Sequence, residues 1–303
     1  MKASTKNPSP SSEDWSRDGK RRFLFEDLDL RGEIVHLTGV LDEVKAIHAY
    51  PTGVARLIGE FLAASVLLAS NLKFKGSLTV QARSEAQIPL IMAECTSDFG
   101  LRAIARGADQ ARARDFASLL GGGLLTLTVT PARGNRYQGI VPLAEESLAA
   151  SVDAYFEQSE QLQTRLYLAC DGHRAAGLLL QQLPAQQVVD SAQREEHWQR
   201  ISMLADTLEP GELLGVAEAS LLHRLFHEEV VRLFDLEGVR FRCSCSRDRT
   251  LAALSTVGED EIRSILDEQG SITMDCEFCN RRYVFRERDL RGLIGEPDPR
   301  AIH

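Results

Sequence analysis

Between residues 54 and 67 apolar side chains recur every three or four positions: Val54, Leu57, Ile58, Phe61, Leu62, Val66 and Leu67. That spacing predicts a long helix with one apolar face, introduced by the Tyr50-Pro51 step. Before it, Arg22 to Leu28 and Gly32 to Leu37 read as short strands. After it the period shortens. Gly76 to Ala82, Ile88 to Glu94, Leu101 to Ala105, Leu124 to Val129 and Tyr137 to Val141 are alternating or β-branched runs separated by Gly, Pro, Asn or Asp, the pattern of antiparallel strands joined by turns. Glu145 to Gln158 returns to helical spacing, and Arg165 to Ala169 and Ala176 to Gln181 read as two further strands.

From about Ser191 the pattern turns helical again. Trp198, Ile201, Leu204 and Leu208 make one stripe; Leu221, Leu222, Leu225, Phe226, Val230, Leu233 and Phe234 make another, with Pro210-Gly211 between them. Helices this apolar must pack on something or bind something. Near the C-terminus, Glu259 to Gln269 predicts a short helix stopped by Gly270, and Ile272 to Asp275 with Tyr283 to Phe285 predicts a hairpin. The expected fold class is α+β: an N-terminal mixed or antiparallel sheet domain with helices, a helical linker and a small separate C-terminal domain. The boundaries expected are a disordered tail over residues 1–21, the N-terminal α+β domain over 22–190, the helical linker over 191–240 and the C-terminal domain over 241–303.

Composition narrows the setting. The longest apolar run, Phe61 to Ala69, falls short of the roughly 20 residues a membrane span needs. The Ser-, Pro- and Lys-rich start carries no apolar run of the kind a secretory signal has. A net charge of −9 argues against nucleic acid and anionic membrane as partners. Six cysteines without an export signal point to a reducing compartment, the cytoplasm, where clustered thiols serve metal binding or redox chemistry.

Four of those six fall in two tight pairs, Cys243-Ser244-Cys245 and Cys276-Glu277-Phe278-Cys279, in and before the predicted hairpin. Two such pairs can close a tetrahedron of thiolates around one zinc ion. A domain of this size buries too little surface to be secure without such a staple. The spacing leaves open a permanent structural site. It also permits a switch, because a disulfide between Cys243 and Cys245 closes a small strained ring, Cys276 and Cys279 can pair in the same way, and oxidation would consume all four ligands.

These residues resemble the bacterial thirty-three-kilodalton heat-shock chaperones, a family of redox-regulated holdases. The C-x-C and C-x-x-C pairs with this spacer are that family's signature, and Cys243-Ser244-Cys245-Ser246-Arg247 matches its wording. So do Leu72-Lys73-Phe74, Arg136-Tyr137-Gln138-Gly139-Ile140-Val141, Tyr155-Phe156-Glu157-Gln158-Ser159-Glu160-Gln161, Thr164-Arg165-Leu166 and His227-Glu228-Glu229, so that the resemblance runs from about Arg22 to Ile294. The turn Ser84-Glu85-Ala86-Gln87 lacks glycines common there, and Gln163 replaces a usual proline. The resemblance implies an ATP-independent chaperone and no enzyme. Reduced, it would hold one zinc ion on Cys243, Cys245, Cys276 and Cys279. Oxidised, it would carry Cys243–Cys245 and Cys276–Cys279 disulfides, lose zinc, unfold its linker, form a homodimer and bind unfolding client proteins, later handing them to an ATP-driven chaperone system.

Two other readings of the chemistry remain: a thiol-disulfide oxidoreductase using Cys276 and Cys279, and a zinc-stabilised nucleic-acid-binding module. The first expects C-x-x-C at a helix N-terminus, not in a hairpin. The second must use Arg281, Arg282, Arg286, Arg288 and Arg291, yet ten Arg face twelve Asp and Glu from Phe241 onward. His223 and His227 share a helix face but read as structural, Gly121-Gly122-Gly123 reads as a turn before a strand, and Cys95 reads as an inert core residue.

Overall fold

The computed structural model describes residues 17–70, 75–143, 146–159 and 162–293. Most of the expected tail, Leu72-Lys73-Phe74, Glu145, Glu160-Gln161 and Ile294 lie outside them. The chain divides into two compact units, one ending at Arg242 and the other starting at Cys243.

In the first unit the elements run β1 (Gly19–Phe25), β2 (Leu30–Leu37), α1 (Gly39–Ile47), α2 (Thr52–Ala69), β3 (Gly76–Arg83), β4 (Leu90–Thr96), β5 (Gly100–Arg106), α3 (Phe116–Leu120), β6 (Leu124–Pro131) and β7 (Tyr137–Pro142). They continue with α4 (Leu148–Ser159), β8 (Thr164–Cys170), β9 (Ala175–Gln182), α5 (Ser191–Ala205), α6 (Pro210–Gly215), α7 (Glu218–Phe226), β10 (Val231–Leu233), β11 (Glu237–Gly238) and β12 (Arg240–Phe241). One sheet has the order β10-β1-β2-β9-β8, with β11 also on β1; the other has the order β12-β5-β4-β3-β6-β7. Every ladder is antiparallel except β12 on β5. The fold is α+β, as its alternating strand patterns require.

Helix α2 lies at the centre. Its Val54, Ile58, Phe61, Leu62, Val66 and Leu67 pack with Val35, Leu37 and Leu179 of the first sheet and with Val80, Ile91, Ala93 and Leu127 of the second. Gly59 permits this closeness: a Cβ there would stand 2.4 Å from Cys170 Sγ. Starting at Thr52 rather than Phe61, the helix is long and apolar enough to cross a membrane, with a mean hydropathy of 1.5, but 83% of it is buried, as a core helix is.

The opposite face of the first sheet carries Phe23, Phe25, Ile34, Leu178 and Leu180, and the apolar stripes of α5–α7 cover it with Trp198, Ile201, Leu213, Leu221, Leu225 and Phe226. The Phe25 and Phe226 rings meet edge to face at 5.1 Å. Five apolar anchors on the sheet and six on the helices, at about 1.5–3 kcal/mol for each buried large side chain, hold these helices firmly.

Three features differ from the sequence expectation. Gly19, Lys20 and Arg21, placed in the tail, begin β1. Lys20 is buried between Glu33 at 3.2 Å and Glu237 at 3.0 Å, an ion pairing that a strand pattern read only from apolar residues misses. The helical stripe reaching to Phe234 ends at Phe226, and Val231–Leu233 instead pairs with Phe23–Phe25 because the edge of β1 offers backbone partners to this β-branched stretch. Helix α1 was not foreseen; the Asp18 carboxylate accepts from the Thr38 and Gly39 backbone N–H groups at 2.6 and 3.0 Å and so caps it from outside the local sequence.

The second unit holds α8 (Arg247–Leu254), α9 (Glu259–Gln269), the antiparallel hairpin β13 (Ile272–Asp275) and β14 (Arg282–Phe285), and α10 (Glu287–Leu290). Gly270 stops α9 in the left-handed conformation at φ 70°. Its core is Leu254, Ile262, Ile272, Tyr283, Phe285 and Leu290, with the Arg247 guanidinium 4.4 Å over the Phe285 ring.

Candidate metal centre

The hairpin and the segment entering α8 each present one pair of thiols. In the connection between β13 and β14 the Cys276 carbonyl accepts from Cys279 N–H at 3.2 Å and from Asn280 N–H at 2.7 Å, while Cys276 N–H donates to the Arg281 carbonyl at 2.9 Å. This tight turn needs a left-handed residue, and Asn280 supplies it at φ 52°. Cys243 and Cys245 precede α8, whose start is fixed by Ser246 accepting from Arg249 N–H at 3.2 Å.

The two pairs converge. All four Sγ atoms lie within 4.8 Å of one another. Cys243 and Cys276 sulfurs are 3.7 Å apart, and Cys245 and Cys279 sulfurs 3.4 Å apart. These are free thiols, each half-buried. A tetrahedral ion with sulfurs at about 2.3 Å requires sulfur–sulfur edges of about 3.8 Å, so the donor set fits a metal ion of that geometry. Among the described residues no other group of three or more His, Cys, Asp or Glu side chains converges in this way. His223 and His227 are exposed on α7 and its end.

The surroundings favour charge on sulfur. Burial pushes the Cys245 thiol up, but a hydrogen bond from Tyr283 Oη at 3.1 Å, together with the other three cysteines, outweighs it and holds Cys245 at about 7. Burial, and the neighbouring cysteines, push Cys279 and Cys276 up. The Tyr283 contact was not legible beforehand, since an aromatic residue on a strand reads as core. Cys95 on β4 is fully buried, and burial pushes its thiol far up; Cys170 on β8 is pushed up to about 12 for the same reason. Neither is a thiolate, which fits the core role expected of Cys95.

Among known proteins, the family model described as Hsp33 protein matches residues 18–286. The chain is 49% identical over 280 residues to a 33 kDa chaperonin of Pseudomonas paraeruginosa, covering 91% of this chain and 94% of that one. It is 50% identical over 280 residues, with the same coverage, to a 33 kDa chaperonin of Azotobacter vinelandii. Its fold is similar to that of the crystal structure of the 33 kDa chaperonin of Thermotoga maritima, with a TM-score of 0.76 and 23% identity, covering 91% of this chain and 97% of that one. A family match that takes in the α2 core, helices α5–α7 and all four converging cysteines, beside relatives half identical along nearly their whole length, establishes that the chain belongs to the Hsp33 family of chaperones.

Proposed function

We propose that this chaperone is an ATP-independent holdase of the cytoplasm, held inactive by one zinc ion on Cys243, Cys245, Cys276 and Cys279 and activated by oxidation. The observation that carries the reading is the convergence of four free thiols on the small core of the second unit. Zinc, when bound, supplies a cross-link worth on the order of 10–16 kcal/mol, more than the whole stability of most domains of this size.

Oxidation removes the ligands in pairs. Cys243 with Cys245, and Cys276 with Cys279, each lose two electrons as an S–S bond forms; one peroxide molecule per pair accepts them, its O–O bond breaks, and with two protons from the thiols or from solvent it leaves as two waters. A disulfide sulfur is a poor metal ligand, so the second unit loses its staple and unfolds, and the linker segment 191–240 unfolds with it. What that uncovers is apolar on both sides: the α5–α7 stripes, and the sheet face built from Phe23, Phe25, Ile34, Leu178 and Leu180. Unfolding client proteins bind there, the oxidised protein forms a homodimer, and clients pass to an ATP-driven chaperone system once the thiols are reduced.

Turnover of disulfide substrates is disfavoured by placement. Cys276 and Cys279 sit in the connection between β13 and β14 rather than in the first turn of a helix, where such enzymes carry their C-x-x-C pair. The test measures zinc content, free thiols and suppression of light scattering from a thermally unfolding client on one sample, before and after peroxide. The expected result is loss of one zinc and four thiols together with a gain of holdase activity. Full activity in the zinc-loaded, fully reduced protein sinks the reading.

A further inference from the structure

The outer edge of β1 is filled by residues 230–238. Phe234 N–H donates to the Arg22 carbonyl at 2.9 Å and Glu26 N–H to the Val230 carbonyl at 2.9 Å, with Val231–Leu233 paired between them on Phe23–Phe25. Glu237 and Gly238 continue the pairing along Gly19 and Lys20. Alternate residues of a strand direct their backbone groups to opposite edges, so Arg22, Leu24 and Glu26 face this segment while Phe23 and Phe25 face β2.

The segment lies there as a bound peptide would. Val231 stands opposite Phe25 and Leu233 opposite Phe23, and both pack into the apolar cluster on that side of the sheet. Arg232, between them, takes the other side and donates to Glu26 Oε1 at 2.7 Å. The Arg22 guanidinium stands over the Phe234 ring, 4.6 Å from its centre. Four residues of extended chain thus read apolar, basic, apolar, aromatic. Their main-chain bonds would be the same for any sequence. Without β10 and β11, β1 becomes the terminal strand of its sheet, and its outward N–H and C=O groups form a template for another chain.

We propose that the outer edge of β1 is a client-docking site: residues 230–238 occupy it in the closed state as an internal stand-in, and in the open state it takes an extended segment of an unfolding client as an added antiparallel strand. The inference rests on the redox reading above, which supplies the opening of residues 191–240. Preferred segments carry apolar residues at alternate positions, in the places of Val231 and Leu233, and a basic residue between them for Glu26. Phe23 and Phe25, on the apolar face beside the edge, receive the alternate side chains. Because the main chain supplies the bonds, one edge serves clients of many sequences.

The test follows amide exchange residue by residue in the full oxidised chain. The probes are a synthetic peptide copying residues 228–236 and the same peptide carrying Val231→Asp and Leu233→Asp. In the reduced chain the Leu24 and Glu26 amides should be protected. Oxidation should speed their exchange at least tenfold, while the Phe23 and Phe25 amides, bonded to β2, stay slow. The copied peptide should restore the protection, as should a thermally unfolding client, and the Asp-bearing peptide should bind at least tenfold more weakly. Leu24→Pro deletes one outward N–H at an edge position where proline is tolerated; in the oxidised chain it should weaken peptide binding about tenfold. Leu24 and Glu26 amides that stay protected after zinc and thiols are lost overturn the proposal and leave the metal switch standing. Protection that returns without a probe as chain concentration rises overturns it too, because the occupant is then a second copy. So does full suppression of client aggregation while both amides still exchange fast, since clients then bind elsewhere. A chain that keeps its zinc under peroxide overturns the redox reading and this inference together.

Discussion

Nδ1 of His36 on β2 lies 3.2 Å from Oε1 of Glu218, the first residue of α7, although 182 positions separate them in the chain. The same imidazole presents Nε2 to the Leu213 carbonyl of α6 at 2.9 Å, and Arg21 Nε stands 3.6 Å from the other carboxylate oxygen. Burial pushes the Glu218 carboxyl up, but His36 and Arg21 outweigh it and hold it below the usual carboxylate range. A charged acid at 7% exposure is secure only while those partners stay in place. Helices α6 and α7 are therefore pinned to the sheet by a polar lock as well as by their apolar stripes.

Glu218→Ala should open that lock. Removing one member of a buried charged pair leaves the others desolvated and uncompensated, at a cost of about 3 kcal/mol. The loss should fall on α6 and α7 more than on the α2 core. Limited proteolysis within residues 191–230 should speed up, and the reduced, zinc-loaded variant should suppress client aggregation without oxidant. Unaltered cleavage together with a silent reduced form would show that the lock does not hold the linker.

Asp29 does comparable service at the start of α5. Its carboxylate, 6% exposed, accepts from the backbone N–H groups of Gln186 and Gln187 at 3.0 Å and Val188 at 3.1 Å, and from Arg194 Nη1 at 3.1 Å. Burial works against its charge, but these donors outweigh burial and lower its pKa below 3.8. A folded value below the unfolded one means that the unfolded chain binds the proton more readily. The stabilisation is then complete above the unfolded value and lost as pH falls through the folded one. Asp29→Asn should cost about 2 kcal/mol near neutral pH and flatten the acid limb of stability, measured by urea unfolding from about pH 3 to 7.

How far the chain discloses this design depends on whether a feature is local. The helix from Thr52, the strands on either side of it and the C-terminal hairpin follow from apolar periodicity within a dozen residues. The thiol cluster was legible because metal ligation restricts both residue type and spacing. The start of β1 was hidden since Lys20, an apparent tail residue, is buried against Glu33 and Glu237. Strand β10 was hidden since its partner, Phe23–Phe25, lies two hundred positions upstream. The His36–Glu218 lock and the Tyr283–Cys245 bond escape for the same reason: a polar contact between distant segments leaves no periodic trace.

Glu60 on α2 gives a pH dependence of opposite sign. Burial in the central helix pushes its carboxyl up to about 7, and nearby Arg56 offsets this only in part. Here the folded state holds the proton more tightly than the unfolded state, whose value is 4.5. Stability should be highest below that value and decline as pH rises through about 7. Glu60→Gln removes the charge that burial penalises. It should raise stability at mildly alkaline pH by about 2 kcal/mol and abolish the decline. A variant whose thermal midpoint still falls across that range would place the decline elsewhere.

Cys243→Ser separates the metal from the general stability of the chain. Serine's hydroxyl stays protonated and is a weak ligand, so three thiolates remain where tetrahedral closure needs four donors. Among the described residues the second unit has Leu254, Ile262, Ile272, Tyr283, Phe285 and Leu290 as its buried core, too few to replace the contribution of the proposed metal. Zinc per chain should drop well below the wild-type value, and the thermal transition of this unit should vanish or move far down, while that of the α2 core stays in place. Cys95→Ser should do the reverse. Its sulfur lies fully buried in β4, so a hydroxyl there costs about 1–3 kcal/mol in the first unit and leaves zinc content unchanged. Equal zinc content in wild type and Cys243→Ser would remove Cys243 from the ligand set.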